Sequence, residues 1–463
     1  MIESNKKMML WLVAGGFFMQ MLDTTIVNTA LPAMALSLKE SPLAMHWAII
    51  AYTLTMAIVI PASGWLADGF GLKKINYIAI TLFTIGSLFC ALSTTLNLLI
   101  VARIVQGIGG ALLLPVGRLA LLKTIPANQY VSAMSFVAVP SLVGPLIGPV
   151  LGGWLVQAHS WHWIFIINLP IGLLGLILNI KYMPTGEIKK LPFDSIGYIL
   201  LAVGMAGILF SLDNLEKPEW SFIQLISILL MACGALILYS LRTLYAKKPL
   251  FSRNLFQNHQ YCIGLIGNFF ARIGSHSTPY LLPLLLQVSL GFSPFRAGML
   301  LVPASLGGIL VKRFLPYLLI QFEYRKLLIF NTLALGVSII NFSIINTSSS
   351  LFSILVLITF FGIFNSIQFT AMNALTLKDL NKEMVSGGNA FFSMIQMLAL
   401  SFGVTVSSVL LEFINNSPWV KSIFNHLITL HKISSHLISF KITFICIGIL
   451  TCLTAWIFAQ VKN

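Results

Sequence analysis

The sequence predicts an all-α membrane protein of about fourteen transmembrane helices, and three observations predict it. Hydrophobic residues make up 57% of the chain and charged residues only 9%, against about 25% charged in a soluble globular protein. Apolar stretches of about 20 residues recur along the whole length, each long enough to cross a hydrocarbon core of about 30 Å as a helix. The stretches are continuous rather than alternating, which selects helices over a β-barrel.

Polar breaks set the elements in order. Six spans lie near 10–33, 44–66, 75–95, 97–122, 130–156 and 161–183. Two more follow near 193–213 and 220–243, and a last six near 260–287, 294–318, 326–346, 351–376, 385–413 and 438–460. The first span has no small-residue cleavage site and contains Asp23, which predicts an uncleaved helix rather than a signal peptide.

Cytoplasmic loops hold the excess of Lys and Arg. Nineteen of the 28 basic residues fall on the side of the N-terminus, including Lys73, Lys74, Lys123, Lys189, Lys190, Lys247, Lys248, Lys382 and Lys462. Six fall on the other side, namely Lys39, Lys217, Arg296, Lys421, Lys432 and Lys441, and Arg103, Arg118 and Arg272 lie inside spans. This places both termini in the cytoplasm. It also accounts for the net charge of +15 without nucleic-acid binding, which needs a basic soluble surface.

Enzyme chemistry has no foothold in the sequence. Cys90, Cys233, Cys262, Cys446 and Cys452 sit in apolar spans, with no CxxC or Cys/His ligand spacing, so no metal site is expected. His159 and His162 flank Trp161, and His426, His431 and His436 spread along one loop, as solvated histidines do. No GxxxxGK[ST] loop is present to bind ATP.

Charges at bilayer depth are costly and mark partners or pathways. Asp23 lies midway along the first span in Leu22-Asp23-Thr24-Thr25-Ile26-Val27-Asn28-Thr29-Ala30-Leu31-Pro32. An acid there can carry a proton, because apolar surroundings disfavour its ionised form; it can equally be a structural hydrogen-bonding group. Arg103, in Arg103-Ile104-Val105-Gln106-Gly107, is the natural counter-charge if the two helices are neighbours. Arg272 has almost no acid in the last six spans to neutralise it, so it either binds an anionic substrate group through its guanidinium fork or finds backbone carbonyls.

Two backbone patterns stand out. Gly144, Gly148 and Gly152 recur every four residues, with Pro145, Pro149 and Gly153 interleaved, giving a helix face that another helix can approach closely. The short loop after the second span, Gly64-Trp65-Leu66-Ala67-Asp68-Gly69-Phe70-Gly71-Leu72-Lys73-Lys74, offers an acid and nearby cations for a latch between helix ends.

With these residues in view, the chain resembles the major facilitator superfamily over nearly its whole length, and more narrowly its fourteen-helix drug/proton antiporters. The loop signature GxLaDrxGrkx is matched by Gly64, Asp68, Gly71, Lys73 and Lys74, with Gly69 where a basic residue is usual. Leu22 to Pro32 matches LDxTIVNxALP, and Arg103, Gln106, Gly107, Gly109, Gly110 and Ala111 match RxxQGxGgA. Gly144 to Gly153 matches GPxxGPxxGG, and Trp161 to Gly172 matches WrWiFliNvPiG with His162 at the usual Arg. A second loop signature is degenerate, since Lys312 to Lys326 holds no acid at the Asp position.

The resemblance implies a major facilitator fold: six-helix bundles over 1–190 and 256–463, related by a pseudo-two-fold axis, with two additional helices in 191–255. It implies a bacterial inner-membrane efflux transporter that exchanges a small-molecule substrate for protons, needs no cofactor and is driven by the proton gradient. Asp23 with Arg103 would couple the proton, Arg272, Asn28 and Gln106 would contact substrate, and the Gly/Pro and loop motifs would pack and gate. Export of organic anions is the alternative, and a non-transporting membrane sensor a more distant one.

Overall fold

The computed structural model describes residues 4–186, 188, 192–215, 217, 219–246, 249–378, 380, 384–417 and 435–461. Lys189, Lys190, Lys247, Lys248, Lys382, Lys421, Lys432, Lys462, His426 and His431 lie outside them. Among the described residues every regular element is helical. Long helices run α1 (Ser4–Leu38), α2 (Trp47–Phe70), α3 (Leu72–Ala91), α4 (Leu96–Thr124), α5 (Ala127–Ala158) and α6 (Asn168–Tyr182). They continue with α7 (Ser195–Asp213), α8 (Phe222–Tyr245), α9 (His259–Leu284), α10 (Pro294–Val311), α11 (Tyr324–Asn341), α12 (Leu351–Leu377), α13 (Val385–Asn416) and α14 (Ser435–Leu453).

Thirteen of the described spans are long and apolar enough to cross a membrane, the sixth counting from Trp163 to Tyr182. The exception is α9, which has the length, 26 residues, but spends its apolar character on Asn268, Arg272, Ser275, His276, Ser277 and Thr278. A helix can cross with such residues only where neighbouring helices shield them. Asn268, Arg272, Ser275, Ser277 and Thr278 are indeed buried. Hydropathy alone therefore understates this span, whereas the spacing of polar breaks identifies it.

Local chemistry sets several boundaries. Thr95, Asn258, Ser293 and Ser350 cap α4, α9, α10 and α12, each side chain accepting a backbone N–H of the first turn. Between α2 and α3 the chain reverses on the single residue Gly71, whose φ of +86° is open to glycine at little cost. Pro279 and Pro283 withdraw two donors from α9, and the helix runs into a wider π turn over Leu285–Ser289. In α5 the expected prolines, Pro145 and Pro149, lie inside one unbroken helix together with Pro140.

The chain forms two compact units, one of Met1–Ala202 with Ala246–Leu250 and one of Val203–Tyr245 with Phe251–Asn463. In the first unit α1 packs on α4, α5 and α6, α4 packs on α2 and α3, and α3 packs on α6. In the second, α9 packs on α12, α13 and α14, α12 packs on α10 and α11, and α11 packs on α14. These are the same six pairings, position for position. The second unit also holds a close α7–α8 contact, where Gly204 and Gly207 face Leu236 and Ala232.

Candidate functional site

The first unit encloses Asp23 completely. Its helix is held against α5 by the glycine face: a Cβ on Gly144 would lie 2.8 Å from the Leu22 nitrogen, on Gly148 2.3 Å from Thr25 Oγ1, and on Gly152 2.7 Å from the Ile26 carbonyl. Only glycine permits that approach. The seam covers Leu22 to Thr29, so the small-residue motif presses the Asp23 turn into the bundle. Gly153 is buried beside it, while Pro145 and Pro149 are half-buried.

Across from that seam, α4 supplies the counter-charge. Arg103 Nη1 lies 2.6 Å from Asp23 Oδ2, and the two side chains are 1% and 0% exposed. The same nitrogen donates to Gln106 Oε1 at 2.6 Å, and Nε donates to the Ala48 carbonyl of α2 at 2.7 Å. Gln106 Nε2 donates to Asp23 Oδ1 and to Ser87 Oγ of α3, both at 2.8 Å. Asn168 Nδ2 of α6 approaches Asp23 Oδ1 at 3.5 Å. The guanidinium lies 4.2 Å from the centre of the Tyr52 ring and 5.7 Å from that of Phe165.

This arrangement carries its own charge bookkeeping. Both Asp23 oxygens accept hydrogen bonds, the pattern of an ionised carboxylate. An ion pair removed from water survives only when its remaining donors and acceptors are met, and Gln106, Ser87 and Ala48 meet them. Five helices contribute: α1, α2, α3, α4 and α6. Gln106, expected as a substrate contact, lies within this network. Asn28, one turn further along α1 and half-buried, stands apart from it and makes no side-chain hydrogen bond among the described residues.

Arg272 occupies the second unit and is 1% exposed. Its Nε donates to Asn268 Oδ1 and its Nη2 to Asn373 Oδ1, both at 2.9 Å. The ring of Phe369 lies against the guanidinium, 3.6 Å from its centre. Asn373 also accepts from Gln396, and Asn268 donates to Thr376. No carboxylate among the described residues pairs with Arg272, as the scarcity of acids predicted. Asp379 and Glu383 fall outside the described residues.

At the other end of the first unit the latch has a different partner. Asp68 pairs with Lys123 at the end of α4, 2.8 Å apart, with both side chains about a third exposed (32% and 36%). Lys73 and Lys74, the expected cations, take other roles: the Lys73 carbonyl accepts from Asn179, and Lys74 lies over Phe70. Asp68 lies in the last turn of α2, where it meets Lys123 in the last turn of α4. Gly71 is pinned by the segment after α6, because a Cβ there would lie 2.9 Å from the Thr185 carbonyl, which accepts from Leu72 N–H. Gly64 and Gly69 face open space.

Tyr52, Ser87 and Asn168 complete the Asp23 site, and Asn268, Phe369 and Asn373 the Arg272 site, without having been singled out from the sequence. One signal was available: Asn268 precedes Arg272 by four residues, which puts them on one helix face. Asn168 stood inside a recognised motif but had no assigned role. For the others, only the packing of separate helices reveals the juxtaposition.

The profile of the Major Facilitator Superfamily matches residues 13–404 and 264–461. A Citrobacter koseri protein named "Putative multidrug resistance protein MdtD" is 44% identical over 462 residues, covering 100% of this chain and 96% of that protein. A Salmonella typhi protein of the same name is 43% identical over 459 residues, covering 99% and 96%. The fold is similar to that of a D-xylose-proton symporter, with a TM-score of 0.68 at 16% identity and 98% of each chain covered. It is also similar to a POT family transporter in complex with 5-aminolevulinic acid, with a TM-score of 0.70 at 15% identity, covering 97% of this chain and 94% of that one.

Proposed function

The chain belongs to the Major Facilitator Superfamily, a family of transporters and not of enzymes, and from that premise we propose that it is a proton-coupled efflux transporter of the bacterial inner membrane, exchanging amphiphilic drugs for protons. Two observations from the sequence support this placement: the surplus of Lys and Arg on one side favours cytoplasmic termini, and the recurrent apolar spans suit a bilayer. One observation carries the mechanism. A fully buried acid at mid-helix, Asp23, is paired with Arg103 and hydrogen-bonded to Gln106 within one unit.

Coupling follows from the cost of that arrangement. Protonating Asp23 removes the charge that Arg103 offsets, so the packing of α1 against α4 has different optimal forms with and without the proton. A ligand shifts a conformational equilibrium only by its differential affinity for the two states. A proton that dismantles a buried ion pair has such a difference. Asp23 is shut off from water here, so loading and unloading require the bundle to open on one side at a time. The exposed Asp68–Lys123 pair and the Gly71–Thr185 junction tie helix ends together at the opposite end of α2, about 30 Å from Ala48.

A second reading, export of small organic anions, is favoured by Arg272. A buried guanidinium with neutral acceptors alone is poorly compensated, and an incoming carboxylate would supply the missing charge. Purified protein in proteoliposomes distinguishes the readings. Lipophilic cations such as ethidium are expected to elicit proton movement that Arg272→Ala leaves intact. A response to carboxylates alone, lost in Arg272→Ala, would select anion export, and no proton movement with any compound would overturn proton coupling.

A further inference from the structure

We propose that Asn168 is a positioning residue that reads the protonation state of Asp23, turning its amide end over end to donate to the carboxylate and to accept from the carboxylic acid. The inference rests on the proton-coupled reading and deepens it.

Three observations lead to it. Asn168 is 1% exposed, so its polar atoms have no access to bulk water. Its Nδ2 faces Asp23 Oδ1 at 3.5 Å, the loosest contact that oxygen makes. Its Oδ1 is buried with no hydrogen-bond partner among the described residues. A buried acceptor left unmet costs free energy, and a persistent one marks a group whose partner is present in another state. The two ends of a carboxamide are nearly the same shape, so exchanging them swaps donor for acceptor with no change in volume.

The protonated state then closes its own hydrogen bonds. A proton taken from water in an opened form makes the Oδ1–H bond, and Oδ1 turns from acceptor to donor. Gln106 Nε2 loses that acceptor but keeps Ser87 Oγ. Arg103 keeps the Ala48 carbonyl and Gln106 Oε1. The new O–H needs an acceptor, and the two other side chains hydrogen-bonded to Asp23, Arg103 through Nη1 and Gln106 through Nε2, present donors to it. Asn168 Oδ1 is the free acceptor beside it. The groups facing Asp23 are Arg103 and Gln106 from α4, Tyr52 from α2, Ser87 and Cys90 from α3, Asn168 from α6, and the glycine face of α5. Of these Tyr52, Cys90 and Arg103 are titratable or charged, and the Tyr52 hydroxyl, which can also accept, is the competing acceptor that the Asn168 variants test.

The test needs no transported substrate. Infrared difference spectra between acidic and alkaline buffer, recorded on protein reconstituted in vesicles, report the carbonyl stretch of a protonated carboxyl, and the Asp23→Asn variant identifies the Asp23 band. In the wild type the band is expected at the lowered frequency of a hydrogen-bonded acid, accompanied by a change in an Asn side-chain amide band. Asn168→Leu, similar in size, should move the Asp23 band up to the frequency of a free acid. Asn168→Ala, which likewise offers no acceptor, should do the same and stands in if the leucine variant does not fold, whereas Asn168→Ser, whose hydroxyl both donates and accepts, should keep the band at the bonded position. An Asp23 band at the wild-type frequency in the leucine or alanine variant overturns the role of Asn168 and leaves proton loading of Asp23 in place. No Asp23-dependent band at any pH overturns proton loading itself, and Asn168's role with it.

Discussion

Arg103 spends three hydrogen bonds on Asp23, Gln106 and Ala48, and the geometry of a guanidinium is what makes three possible at once. Lysine offers a point charge on a flexible stem, so Arg103→Lys is expected to lose coupled transport while keeping the formal charge. Removing one member of the pair is worse for the fold. Asp23→Asn leaves a buried cation without its counter-charge, which costs about 3–5 kcal/mol. Adding Arg103→Gln to Asp23→Asn should recover most of that loss. Thermal unfolding of the single and double variants in detergent measures it, and a double variant no more stable than Asp23→Asn would refute the pairing. The Asp68–Lys123 pair belongs to another regime: it is a third exposed, so Lys123→Gln should change stability by at most about 1 kcal/mol.

Asp23, Arg103 and Arg272 were legible in the sequence for one reason: each is a charge inside an apolar stretch, where it needs an explanation. Their surroundings were not. Tyr52, Ser87 and Asn168 are unremarkable within apolar helices, and their role arises only when α2, α3 and α6 meet α4. Lys123 looked like one more cytoplasmic cation until the end of α4 was seen beside Asp68.

At the scale of helices, the glycine face of α5 is the device that brings α1 to the distance its acid requires. Enlarging Gly148 to Ala puts a methyl 2.3 Å from Thr25 Oγ1, an overpacking expected to cost about 1–3 kcal/mol. Gly64 and Gly69 in α2 look alike in sequence but meet open space, so Gly69→Ala should leave the melting temperature unchanged or raise it slightly, since alanine is the better helix former. Equal losses at Gly148 and Gly69 would contradict this division. The motif pattern alone did not separate tight glycines from open ones, because it records spacing and not what lies opposite. Polar α9 shows the converse: its buried Asn268, Arg272 and Ser275 make sense only once α12 and α13 are packed around it.

For the whole molecule, the repeated helix pairings in the two units expose a duplication that the sequence shows faintly, with one loop signature matched except at Gly69 and the other degenerate. Each unit joins its first and fourth helices through a buried guanidinium. In the first the guanidinium is on α4 and an acid on α1; in the second it is on α9 and an amide, Asn373, on α12. The first half thus holds a balanced charge pair that a proton can disrupt, and the second an unbalanced charge that a proton cannot neutralise. Orientation is checked separately in a cysteine-free background: Glu40→Cys should react with an impermeant maleimide added outside, and Thr185→Cys should not.

The central claim is that Asp23 links substrate movement to the proton gradient. It is tested most directly by imposing a pH gradient, acidic inside, on proteoliposomes carrying wild-type or Asp23→Asn protein and following ethidium uptake, beside exchange of ethidium without any gradient. The wild type should accumulate ethidium against its gradient, and Asp23→Asn should exchange it but fail to accumulate it. Accumulation by Asp23→Asn equal to that of the wild type would contradict the account.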